Sequence, residues 1–240
     1  MRDVVQWIQD VGPGDRDTVG EEVVLLSRLL REEFPVLPGF VVLPEGYETF
    51  REQNGLAGML QKEQTEWSGL SPEERRVRLE RFRKKWMDAD LDPSLETPIR
   101  DAVHRLQEEE AIDGPHPFWI RPVIFPGSSG MPPLLGEWEL LLNLRDPSRL
   151  PAAVRRAWSH AWTEPVFETC IASGGDPLAV RVVLLVQRFV SPQVAGTYLP
   201  ADAFNPWKAE RVIDACWGMG EAVVSGRFDA DRFVLQCAPL

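Results

Sequence analysis

The sequence predicts a mixed α/β (α+β) protein of two lobes, with sheets flanked by helices, and three observations carry that reading. Residues 21–55 run helix, strand, helix, the pattern of a mixed layer. Two apolar, β-branched runs of strand length, 118–125 and 180–190, lie in the second half, as in strands covered on both faces. The chain has 240 residues, 44% hydrophobic and 26% charged, enough ordinary globular material for a sizeable core.

Each element has its own local cause. Val23, Leu26, Leu29 and Leu30 recur at helical spacing until Pro35 and Pro38 stop the helix. Gly39 to Leu43 follows as a short strand, and Pro44 starts a second helix that Asn54-Gly55 closes. Ser71-Pro72-Glu73-Glu74 is a capping box. Its helix sets Leu79, Phe82 and Trp86 in one stripe among Arg75, Arg76, Arg78, Arg81, Arg83, Lys84 and Lys85. Such a basic face suits an anionic partner or a membrane surface, but in a chain of net charge −11 it reads first as a solvated face. Thr97-Pro98 is expected to cap a further helix through Glu110.

Gly-Pro-His-Pro at 114–117 marks the expected boundary, within one unit of 1–240, between a helical and mixed lobe, 1–117, and a strand-rich lobe, 118–240. In the second lobe, 151–162 is a helix with Trp158 and Trp162 four apart, and 211–216 and 231–236 are further strands.

Several chemistries are excluded. The acidic balance argues against a nucleic-acid surface, which draws its affinity from Lys and Arg. Cys170, Cys216 and Cys237 form neither a disulfide framework nor a zinc cluster, and His104, His116 and His160 lack ligand spacing, so no metal site is expected. Ser128-Ser129 lacks the setting of a nucleophile elbow, and no catalytic residue is assigned. The N-terminus does not resemble a secretory signal and no run is long enough for a membrane helix, so cytoplasm is the expected compartment.

Two stretches hint at nucleotide chemistry. Gly12, Gly14 and Gly20 lead into the first helix like a phosphate loop, yet Glu21 and Glu22 stand where N–H groups and a cation should meet phosphate. In Trp-Gly-Met-Gly-Glu, 217–221, a strand runs into Gly218 and Gly220 and then Glu221, a tight turn beside a carboxylate. Alone, such a turn is more often simple turn chemistry.

Taken together, these blocks resemble the N-terminal ATP-binding domain of the phosphoenolpyruvate synthase, pyruvate phosphate dikinase and rifampin phosphotransferase family, an ATP-grasp fold. Val19 to Phe40 lies on that family's glycine loop, helix and Phe-Pro-Val-Pro-Pro-Gly-Phe ending, and 120–144 lies on its Val-Arg-Ser-Ser-Ala-Thr segment and the glycine loop after it. Three further blocks, beginning at 150, 182 and 212, follow in order. The resemblance implies that Gln187, Arg188, Phe189 and Val190 form a hinge where adenine meets backbone groups. It implies that Arg121 contacts phosphates, that Gly136 belongs to the glycine loop, and that Gly218, Gly220 and Glu221 lie near the nucleotide.

The same resemblance implies a damaged phosphate site. The family's lysine falls on Glu22, and two unit charges about 4 Å apart interact by roughly 4 kcal/mol at an effective dielectric near 20. Val23 replaces a glycine, and Pro122, Val123, Ile124 and Phe125 replace the Ser-Ser-Ala-Thr run. The expectation is a degenerate homologue that binds ATP weakly or acts by protein interaction, with no Mg²⁺ unless a partner chain supplies its ligands. That partner would carry phosphohistidine or acceptor domains. Two alternatives remain: the nucleotide-binding half of a split ATP-dependent phosphotransferase, or a scaffold whose emptied cleft is filled by Val123, Ile124 and Phe125; Phe125 and Trp138 filling the cleft between the lobes would mark the phosphate site as lost.

Overall fold

The computed structural model describes residues 4–63, 69–108, 116–125, 141–201, 210–220, 223 and 229–236. Contacts divide the chain into two compact units, Met1–Phe189 and Val190–Leu240. The expected break at 114–117 falls inside the first unit, because strands on both sides of it share one sheet.

In the first unit, β1 (Val5–Trp7) precedes a one-turn helix α1 (Arg16–Val19) and α2 (Glu21–Arg31). Gly20 joins the two helices at φ 92° and ψ 156°, a conformation only glycine adopts without strain. Then come β2 (Gly39–Val42), α3 (Pro44–Gln53), α4 (Leu56–Glu63), α5 (Pro72–Asp88) and α6 (Pro93–Glu108). The strands β3 (Phe118–Phe125), β4 (Leu141–Leu144) and β5 (Arg181–Arg188) complete the sheet, with α7 (Leu150–Ser159) and α8 (Glu164–Ala172) between the last two. The strand order is β1-β2-β5-β3-β4, and every described pairing is antiparallel.

The helix starts follow local chemistry. Ser71 and Glu74 make the expected reciprocal cap at the start of α5, and Leu79, Phe82 and Trp86 are its buried stripe. On its outer face Arg76 pairs with Glu73 and Glu80, while Arg75 reaches Glu168 on α8, so part of the basic face is satisfied within the chain. The helix α6 begins earlier than expected. Pro93 is its first residue and Asp92 accepts from the Ser94 N–H at 2.8 Å, so Asp92-Pro93 outcompetes Thr97-Pro98 as the start and Pro98 is carried inside. Its described part ends at Glu108; Glu110 lies outside the described residues.

Strand alternation splits the core in two. Val182, Leu184 and Val186 of β5, with Phe118, Ile120 and Ile124 of β3, join the larger cluster under α3, α5, α6 and α7. That cluster is aromatic: Tyr47 stacks on Trp86 at 5.2 Å, Phe50 lies 5.0 Å from Trp158, and Trp162 lies 5.8 Å from Trp86. Burial drives the Tyr47 phenol well above its ordinary range, against the nearby Arg51 guanidinium, which pulls it down. Val183 and Leu185 point the other way and join Ile8, Val11, Val19, Val23, Val41, Val123 and Phe125 in a smaller cluster under α2.

The second unit holds an antiparallel sheet of β6 (Val194–Leu199), β7 (Glu210–Trp217) and β8 (Asp231–Gln236), in that order. Asp214 and Arg232, cross-strand neighbours, form a two-pronged ion pair at 2.7 and 2.8 Å. Among the described residues, no helix is long and apolar enough to cross a membrane.

Candidate functional site

The loop before α2 is held from below. The buried Ser27 hydroxyl donates to the Val11 carbonyl at 2.7 Å, and Arg31 donates to the same oxygen, so two side chains of α2 fix the loop that carries Gly12 and Gly14. The Asp15 carboxylate accepts from the Gly12 N–H at 2.8 Å and from the Gln6 side chain at 3.2 Å, closing the loop on itself. Arg16 pairs with Glu21 at 2.7 Å across the α1–α2 junction.

The geometry of the loop leads to one contact. Arg121, in the middle of β3, donates to the carboxylate of Glu22 in the first turn of α2. The side chains are 23% and 49% exposed, so the pair sits at the surface end of the small core. Trp119, two residues earlier on the same face of β3, lies 5.7 Å beneath the Arg121 guanidinium, a contact that orients the arginine. Sequence reasoning missed Trp119, although its two-residue spacing from Arg121 in a strand was a usable signal.

The replaced positions around the pair are core. Val23 is wholly buried, Val123 is 6% exposed and Phe125 4%, all three in the cluster under α2. Pro122 is buried on the opposite face. It is tolerated there because, in the described residues, β4 pairs with β3 only at Phe118 and Ile120, so no ladder donor is demanded of Pro122 on that side. Phe125 thus packs within the first unit, and Trp138 lies outside the described residues.

Of the expected hinge residues, Gln187 and Arg188 end β5, and Phe189 and Val190 follow it. Trp119 faces Gln187 and Arg121 faces Leu185, so Gln187 shares the sheet face of Arg121. The Gln187 side chain donates to the Leu37 carbonyl at 3.0 Å. The backbone N–H groups of Arg188 and Phe189 donate to the carbonyls of Pro38 and Pro117 at 2.9 and 2.7 Å. Val190 is 51% exposed and opens the second unit.

Gly218 and Gly220 belong to the second unit, where Gly218 takes φ 80° and donates to the Gln193 carbonyl at 2.8 Å. Gly136 and Glu221 lie outside the described residues. Among the described residues, no group of three His, Cys, Asp or Glu side chains is placed to hold a metal ion.

Known proteins bear on this arrangement. Residues 17–238 match the family model described as pyruvate phosphate dikinase, AMP/ATP-binding domain. The phosphoenolpyruvate synthase of Aeropyrum pernix is 27% identical over 241 residues, covering all of this chain and 29% of that protein. A probable phosphoenolpyruvate synthase of Staphylothermus marinus is 26% identical, covering 97% of this chain and 28% of its own length. The rifampicin phosphotransferase of Bacillus subtilis is 23% identical, covering 98% of this chain and 27% of its own. The chain thus spans less than a third of the length of these relatives. Matched across nearly all its residues, it belongs to the family of pyruvate phosphate dikinase AMP/ATP-binding domains.

Proposed function

We propose that this chain is an adenine-nucleotide-binding domain that binds ATP weakly and no longer transfers a phosphoryl group. The observation that carries the reading is the Glu22 carboxylate bound to Arg121. Phosphoryl transfer is mainly positioning and charge neutralisation. Here the position where the family resemblance expects a lysine holds an acid, and the facing guanidinium already has its counter-charge. The phosphate end of ATP therefore does not fit the residues present.

Other features support weak binding. Val23 and Val123 fill the floor where smaller residues would let phosphate approach backbone. At the proposed adenine segment, 187–190, the N–H groups of Arg188 and Phe189 are committed to Pro38 and Pro117, so those two donors do not serve a base. We assign no Mg²⁺ to this chain alone, and a cytoplasmic setting. The working partner is a protein carrying a phosphohistidine or acceptor domain. The competing reading is the nucleotide-binding half of a split phosphotransferase completed by that partner.

Two measurements decide between them. Calorimetry with ATP and Mg²⁺ is expected to give a dissociation constant weaker than about 100 μM, less than roughly 5.5 kcal/mol of binding. Incubation with labelled ATP, Mg²⁺ and a phosphohistidine domain from one of the relatives is expected to leave the histidine unlabelled. Metal-dependent binding tighter than that limit, or labelled histidine, restores the working enzyme half.

A further inference from the structure

We infer that the three-stranded sheet is a self-docking surface: its apolar face packs against the same face of a second copy of this chain about a two-fold axis. The inference is independent of the nucleotide reading. Residues directly opposite each other in an antiparallel pair share a face, so the register sorts the sheet. One face carries Val194 and Trp217 in a first row, then Gly196, Ala215 and Asp231 in a second. Its third row is Tyr198, Ile213 and Phe233, and its fourth Arg211 and Leu235. Val194, Tyr198 and Phe233 are half exposed, Leu235 nearly so, and Trp217 more than any of them. A contiguous apolar patch of this kind marks an interaction surface.

The charges on this face identify its occupant. It holds one acid and one base, Asp231 and Arg211, in a chain of net charge −11, so the face itself is balanced where the chain is acidic. Asp231 pairs with Ala215, which is four residues from Arg211, so the two charges lie about 13 Å apart along the strands and do not answer each other within one sheet. Among the described residues neither is held in an ion pair, whereas Asp214 and Arg232 on the opposite face are. The row midway between Asp231 and Arg211 is the aromatic one. A two-fold axis crossing the strands there lays Tyr198 and Phe233 on their own copies and sets the Asp231 row of each sheet over the Arg211 row of the other. Both charges are then answered, and the small Gly196 and Ala215 face the longer Arg211 and Leu235. With six residues in β6 and in β8, the footprint is about 20 Å by 14 Å, small for a specific interface, so the dimer is weak and reversible.

The test is sedimentation velocity on the full chain, from about 5 to about 500 μM at physiological salt, comparing the parent, Asp231→Arg, and the swap of Asp231→Arg with Arg211→Asp. The parent is expected to show a monomer–dimer equilibrium with a Kd on the order of 100 μM, as a small interface gives. Asp231→Arg alone opposes two bases at both symmetric contacts and is expected to weaken the dimer about tenfold. The swap re-forms the pairs with their signs exchanged and is expected to return the Kd to within about threefold of the parent. Phe233→Glu is a further variant that leaves the backbone ladder alone, opposes two carboxylates at the axis and is expected to abolish the dimer. A parent that stays monomeric to about 500 μM gives the face to another occupant and overturns the inference. So does a dimer that Asp231→Arg or Phe233→Glu leaves intact, or a folded swap no tighter than Asp231→Arg alone.

Discussion

The strands β5 and β8 belong to two sheets that are stabilised by different means. All but the first residue of β5 is buried, between an aromatic core on one face and the α2 cluster on the other. Every residue of β8 is exposed, including Phe233 at 54% and Val234 at 51%, and in β7 Trp217 is 82% exposed. The five-stranded sheet is held by burial on both sides. The described three-stranded sheet relies on backbone pairing and cross-strand side chains such as Asp214–Arg232. Substitutions in the first should therefore be read in apolar area, and those in the second in charge and pH.

The largest effect is expected at the aromatic face. Trp158 is wholly buried and touches both Tyr47 and Phe50. Trp158→Ala should cost about 3–5 kcal/mol in urea unfolding, as large-to-small changes in packed cores do. A loss below about 1 kcal/mol would mean that the cluster collapses around the gap, and that burial is not what sets this sheet apart.

The opposite face gives an intermediate effect and a sharper comparison, because its core is built from the replaced residues. Val23→Gly restores the residue that the family resemblance expects, but removes a wholly buried side chain from α2. Loss of the side chain and the poor helix propensity of glycine together predict about 2–3 kcal/mol of destabilisation by the same measurement. A neutral result would show that the valine adds nothing to the floor under Glu22, and that the site could reopen at no cost.

Much of this fold is legible in the sequence. The runs 118–125 and 181–188 are strands because their periodicity leaves no polar face, and the α5 start was readable because capping is local chemistry. Two short strands were not legible: Val-Gln-Trp of β1 and Leu-Leu-Asn-Leu of β4 are set by their neighbours in the sheet. Pro98 misled because a proline in the first turns of a helix looks the same whether it begins the helix or is carried by an earlier cap. At the site, family likeness placed Glu22 and Arg121 near a common phosphate. Nothing in the sequence said that residues 99 apart would bind each other, since that contact exists only once α2 lies over β3.

The smallest effect belongs to the second sheet and is a matter of pH. Hydrogen bonding from Arg232 holds the Asp214 carboxyl below its ordinary range. A carboxylate depressed in the folded state contributes stability above its unfolded value, about 3.9, and loses that contribution as pH falls through the lower folded value. Asp214→Asn should therefore weaken amide protection across β7 and β8 near pH 6, at Ile213 to Ala215 and their partners Asp231 to Phe233. The difference from the parent should shrink once the pH drops below the ordinary aspartate range, because the parent then loses its carboxylate too. Asn keeps the shape and one acceptor, so a difference that persists in acid would assign the effect to packing. The contrast between a sheet held by burial and one held by charged cross-strand pairs would then be lost.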